Sequence, residues 1–137
     1  MRRISLALIS AAMLLGGCGG GLKAPDLFIV YRSGSVPHAR LTLLVNEEGG
    51  VRCNGGLQLR IGNDQLVQAR GIIEELEKPS SEHLSLPAGR GSVLSYYVRD
   101  ANGTIRFADD SRGQSKALRE LALFVLQTAQ RVCRLPM

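Results

Sequence analysis

Two short stretches of this 137-residue chain turn back on themselves at glycine, and each is followed by a segment whose apolar residues recur every three or four positions. This order of strand, turn, strand and helix, met twice, restricts the fold more than any other feature. The first pair of strands is predicted over 40–45 and 51–54, joined through Asn46-Glu47-Glu48-Gly49-Gly50. The second is predicted over 92–99 and 104–108, joined through Asp100-Ala101-Asn102-Gly103, where Asn-Gly is a strong hairpin signal. A β-branched and aromatic run at 27–32 (LFIVYR) adds a strand ahead of them, closed by a turn at 33–38 that holds Gly34 and Pro37.

The helices follow from period and punctuation. Asn63 or Asp64 is placed to cap a helix that runs to Lys78 and stops at Pro79, with the stripe Leu66, Ala69, Ile73, Leu76. Residues 79–91 are rich in Pro, Ser and Gly and read as a loop. Ser115 is placed to cap a last helix over 116–133, with the stripe Leu118, Leu121, Val125, Ala129, Val132. Leu123, Phe124 and Leu126 widen that stripe, so this helix is expected to be the more buried. The expected fold is α+β: an antiparallel sheet of four to five strands with both helices on one face, readable as two strand-strand-helix units. Hairpin chemistry alone also accounts for the likeness of the two units, because such turns demand glycine.

The first 18 residues carry an address. Arg2 and Arg3 precede a 12-residue stretch, 4–15, that is apolar apart from Ser5 and Ser10. That is short of the roughly 20 residues a membrane span needs and matches the apolar region of a secretory signal. Leu15-Gly16-Gly17-Cys18 resembles a bacterial lipobox, the cleavage site of lipoprotein signal peptides. The resemblance implies removal of 1–17 and lipidation of Cys18, with 18–26 as the lipidated cysteine and flexible tether and 27–137 as one globular domain. It also implies an extracytoplasmic location, anchored to the cell membrane, or to the outer membrane of a cell that has one, since Gly19 stands where Asp would retain it. With PDLFIVYRSG, LTLLVNEEGGVRCNGG and VCRLP, the whole chain is similar to small uncharacterised lipoproteins of bacteria, of the high-GC Gram-positive type.

In that compartment the two remaining cysteines, Cys53 and Cys133, read as a disulfide, the alternative being two buried free thiols. Val51 and Cys53 share one face of their strand, and Cys133 ends the last helix. If the helices cover the Val51 face, pairing and packing agree.

Loss of Arg2 and Arg3 leaves 15 Lys and Arg against 12 Asp and Glu. That balance is too mild for the dense basic stripe of a nucleic-acid binder, so no nucleic-acid partner is expected. His38 and His83 are the only histidines, both in predicted loops; Ser111 and Asp109 complete a Ser-His-Asp set on paper, without the G-x-S-x-G context. Asp109-Asp110-Ser111 lacks the ligand spacing of a calcium loop, and neither Gly49-Gly50 nor Gly55-Gly56 precedes a Lys-Ser/Thr pair. No catalytic, metal or cofactor residues are assigned, and a non-enzyme is expected.

The alternation instead marks a surface. Leu41, Leu43, Val45, Val51, Cys53, Tyr96, Val98, Ile105 and Phe107 take one face of the sheet, leaving Arg40, Thr42, Arg52, Asn54, Ser95, Tyr97, Arg99, Thr104 and Arg106 on the other. Arginine on a rigid sheet suits bidentate recognition of carboxylate or phosphate. Arg40, Arg52, Tyr97, Arg99 and Arg106 therefore form the candidate binding face, with Arg40, Arg52 and Arg106 expected on adjacent strands. The expected function is a non-enzymatic binding or accessory module of the envelope, held to the membrane by its lipid and facing an envelope protein or an anionic wall polymer. The alternatives are an inhibitory or structural protein acting through loops such as 79–91, or a hydrolase.

Overall fold

The computed structural model describes residues 25–136; the leader and Cys18 lie outside the described residues. The elements in chain order are β1 (Asp26–Gly34), β2 (Leu41–Asn46), β3 (Gly50–Cys53), β4 (Leu59–Arg60), α1 (Asn63–Ser81), β5 (Leu94–Asp100), β6 (Thr104–Ala108) and α2 (Lys116–Arg131). The fold is α+β, with one antiparallel sheet in the order β4-β3-β2-β1-β5-β6. Six strands replace the expected four to five; the addition is β4, two residues long with no periodic signal. β1 begins at Asp26, and just before it the Pro25 carbonyl accepts the Glu47 N–H.

β1 lies in the middle. Each hairpin, β2–β3 and β5–β6, leaves one unpaired edge, and β1 slots between them, bonding to β2 on one side and β5 on the other. β2 and β5 are both antiparallel to β1 and so run in the same direction. A rotation carrying one hairpin onto the other would need its axis along the strands and would turn the sheet over. Both helices nevertheless cover one face, so the two strand-strand-helix segments are not related by symmetry.

The alternation places the core as expected. Leu41, Leu43, Val45, Val51, Tyr96, Val98, Ile105 and Phe107 are all buried, together with Phe28 and Val30 from β1. Phe124 of α2 meets Phe28 edge-on, with ring centroids 6.0 Å apart. From α1 come Ala69, Ile72, Ile73 and Leu76. Cys53, on the core side of β3, is joined to Cys133, with Cα atoms 6.2 Å apart, inside the usual range for a disulfide. The bridge ties the β3 side of the sheet to the segment that follows α2.

The helix ends depart from expectation. The cap of α1 is Gly62, whose N–H donates to Gln65 Oε1 at 3.2 Å, and Asn63 and Asp64 lie inside the first turn, where Asp64 complements the helix dipole. Pro79 does not stop α1, which continues to Ser81. In the last turn its ring removes only the bond to the Glu75 carbonyl, and Glu75 is exposed, so water can serve instead. Ser115 caps α2 as expected, accepting from Leu118 N at 3.3 Å. α2 ends at Arg131, because Arg134 adopts φ 54° and turns Leu135 back to donate to the Ala129 carbonyl.

Two of the positions that require glycine shape the hairpins. Gly49 closes the β2–β3 turn at φ 81°, a conformation that costs glycine little, while Asn46 Oδ1 accepts from Glu48 and Gly50 N–H. Gly103 is fixed by proximity: a Cβ there would collide with the Ser80 carbonyl. That contact, with the Ser80 hydroxyl bond to Asp100 at 2.7 Å, locks the end of α1 to the β5–β6 turn.

Candidate functional site

The side of the sheet away from the helices is uncovered. Register sets its residues in rows. One row runs Arg52, Leu44, Ile29, Arg99, Thr104 from β3 to β6; the next runs Thr42, Tyr31, Tyr97, Arg106 from β2 to β6. Arg40, Arg52, Arg99 and Arg106 are exposed, and none of their side chains has a hydrogen bond or ion pair among the described residues.

These arginines do not form the single cluster expected on adjacent strands. Because β1 enters the centre of the sheet, Arg52 on β3 and Arg106 on β6 have three strands between them, about 19 Å at the usual strand spacing. Arg40 precedes β2, beyond the rows. What the sheet does bring together is Tyr97, Arg106 and a residue to which the sequence reading gave no role, Tyr31. The Tyr31 and Tyr97 rings stack at 5.9 Å with 25° between planes. Arg106 Cζ lies 4.3 Å from the Tyr97 ring centroid, a cation–π contact of about 0.5–1 kcal/mol at an exposed site. Arg99 stands in the neighbouring row on the same strand as Tyr97. The alternation of LFIVYR was the available signal: with Phe28 and Val30 inward, Tyr31 must point outward.

Beside this stack is a shallow depression of about 320 Å³, lined by Tyr31, Ser33, Ser95, Tyr97 and Arg106 and walled by Leu86 and Ala88. The wall is the predicted loop, and it is tightly held. Arg106 N donates to the Leu84 carbonyl, and its own carbonyl accepts from Leu86 N, so 84–86 runs along β6. Ser111 Oγ donates to the Pro87 carbonyl at 2.9 Å, Asp110 accepts from Gly89 and Gly91 N–H, and Asp109 accepts from Ser92 Oγ and Val93 N–H. The Asp109-Asp110-Ser111 run thus fastens a loop. His83 meets Thr104 Oγ1 at 3.1 Å, at the other end of β6 from Ser111. Among the described residues no group of three or more His, Cys, Asp and Glu is placed to hold a metal ion, and no helix is long and apolar enough to cross a membrane.

A second polar feature escaped the sequence reading. Arg32 has the same parity as Phe28 and Val30, and it is buried on the helix side of the sheet, only 3% exposed. Its Nε donates to the Ala39 carbonyl at 2.9 Å and its Nη2 to the His38 carbonyl at 3.2 Å. His38 adopts φ 58°, which bends the β1–β2 loop over the guanidinium. Burial lowers the affinity of Arg32 for its proton and raises that of the neighbouring Tyr96 phenol, the latter partly offset by the charge of Arg32.

No family model matches this chain, and no curated protein or solved structure does either.

Proposed function

We propose that this protein is a lipid-anchored, extracytoplasmic binding module that holds an anionic envelope partner against the open face of its sheet. The observation that carries this reading is the Tyr31–Tyr97–Arg106 stack, set on a rigid sheet and flanked by Arg99. The contact biases the Arg106 guanidinium toward the Tyr97 ring before a partner arrives, which lowers the side-chain entropy lost on binding, and guanidinium N–H groups match carboxylate or phosphate oxygens. Tyrosine adds contact area at low entropic cost. Anchoring rests on the lipobox-like Leu15-Gly16-Gly17-Cys18; a diacylglyceryl group would supply the two acyl chains that stable attachment takes. The partner is a protein surface or a wall polymer that presents acidic groups.

Crosslinking in intact cells followed by pull-down tests the face. Arg99→Glu with Arg106→Glu should fold normally, since surface changes usually stay within about 0.5 kcal/mol, and should lose the partner, as should added salt. Arg52→Glu, on the same face but four strands away from Arg106, should have the smaller effect. Full retention of every crosslinked partner by the folded double variant would overturn the reading. For the anchor, Cys18→Ser should abolish labelling by a fatty-acid probe; persistent labelling would remove the lipoprotein part.

A further inference from the structure

α2 carries more apolar surface than the core uses. Leu118, Leu121, Phe124, Val125 and Ala129 enter the core, whereas Leu123 and Leu126 turn toward a separate hollow of about 340 Å³ between α2, β5 and the β1–β2 loop. Val36 and Pro37 of the loop and Leu94 of β5 complete its apolar lining. Leu123 and Val36, 48% and 39% exposed, stand at its mouth. Three polar residues also line it, Arg32, His38 and Tyr96. The His38 and Ala39 carbonyls are among the partners of Arg32 and fix the plane of its guanidinium. Arginine keeps its charge in proteins, so it gives this apolar hollow a positive end.

We infer that the hollow is a binding site for a small anionic amphiphile, an alkyl carboxylate whose chain lies along Leu123 and Leu126 and whose carboxylate faces Arg32 and the Tyr96 hydroxyl. Size sets the chain length. An apolar cavity of about 150 Å³ accepts benzene, with six heavy atoms, so a hollow a little over twice as large accommodates roughly twelve. Decanoate has that size, and a diacyl lipid is far too large. The sign of the ligand follows from Arg32, and its apolar body from the α2 side chains. Few polar groups set in an apolar wall is the usual composition of a small-molecule site. This site opens beside α2 on the helix side of the sheet, and it shares Arg32 and Tyr96 with the border of the open-face depression.

The test is calorimetric titration of the full-length protein, with the disulfide intact, using decanoate and decylammonium at monomeric concentrations. Decanoate should bind saturably, with decylammonium at least tenfold weaker. Arg32→Met removes the anchor of the 38–39 carbonyls and is expected to cost stability, so the decisive variant is Leu123→Glu. It places a negative charge at the half-exposed mouth, should leave the thermal midpoint unchanged, and should weaken decanoate at least tenfold. Absence of saturable decanoate binding overturns the inference. So does decylammonium binding as tightly as decanoate, or a folded Leu123→Glu protein that binds decanoate unchanged. Leu123 borders this hollow and not the open-face depression, so the Leu123→Glu result is read apart from the arginine and tyrosine face.

Discussion

Removing the Cys53–Cys133 bridge should cost this domain a large part of its stability. The two cysteines are 80 positions apart, and in the chain-entropy relation a loop of that length constrains the unfolded state by about 4.5 kcal/mol at 25 °C. Residual structure in the unfolded chain reduces the realised effect, so a loss of roughly 3–4.5 kcal/mol is expected, against total stabilities of about 5–15 kcal/mol for domains in general. The suitable variant is Cys53→Ala with Cys133→Ala, because both positions are half-buried beside the core and serine would bring hydroxyls into it. Urea unfolding of the oxidised protein and the double variant measures the difference. The dependence on urea should also steepen in the variant, since an unlinked unfolded chain exposes more surface. A loss below about 1 kcal/mol would refute the entropic reasoning, and two titratable thiols in protein taken from the envelope would refute the bridge itself.

Gly103→Ala, whose Cβ would strike the Ser80 carbonyl, should destabilise by about 1–3 kcal/mol, whereas Gly71→Ala, exposed in α1 with open space around it, should stabilise by about 0.5–1 kcal/mol; thermal midpoints of the two variants should move in opposite directions. Asp110→Ala removes the acceptors for Gly89 and Gly91 N–H, so trypsin should cut after Arg90 faster than in the parent protein while the global midpoint falls little. Burial raises the Tyr96 pKa in the folded state: the stability this group contributes is intact below the unfolded tyrosine value of about 10 and is lost as pH rises through the higher folded value. Unfolding followed from pH 9 upward should therefore show falling stability, and Tyr96→Phe should flatten the fall.

The residues that obey a local period were legible in the sequence. Alternation assigned Leu41, Leu43, Val45, Val51, Tyr96, Val98, Ile105 and Phe107 to the core face, and their neighbours to the other, as they stand in the structure. The position of β1 was not legible, because strand order is decided by which edges are left unpaired, a long-range property that no window of sequence carries. With β1 at the centre, Tyr31 reaches Tyr97 and the arginines separate, so the composition of the open face could be read but its grouping could not. Arg32 was given no role. Its parity matches Val30, and the buried side accepts it because the loop carbonyls of His38 and Ala39 supply acceptors inside. A charged residue at a core-parity position is the signal for such a site. Pro79 misled for a related reason, since its cost depends on how much helix remains beyond it, and here two residues do.

The start of β1 bears on which partner the open face can meet. The Pro25 carbonyl accepts the Glu47 N–H, so the chain enters the sheet beside the β2–β3 turn. Tyr31 and Ser33, which line the depression, lie five and seven positions along β1 from Asp26, or about 17–23 Å at the usual rise per residue. With a lipid on Cys18, as proposed, the stretch 18–24 reaches at most about 25 Å even fully extended. The tether therefore joins the domain at the opposite end of the strands from the depression. An orientation with that end toward the bilayer turns the depression and the 84–93 loop outward, beyond the headgroups. Membrane phosphates would then be poorly placed as the anionic partner, and the acidic groups of a wall polymer or of another envelope protein well placed. The same geometry gives Arg99 a separate part to play, because it lies two positions nearer the anchored end of β5 than Tyr97 does. A partner that bridges Arg106 and Arg99 must lie along the strands, spanning roughly 7 Å between the two rows, which favours an extended chain of repeated acidic groups over a single compact anion.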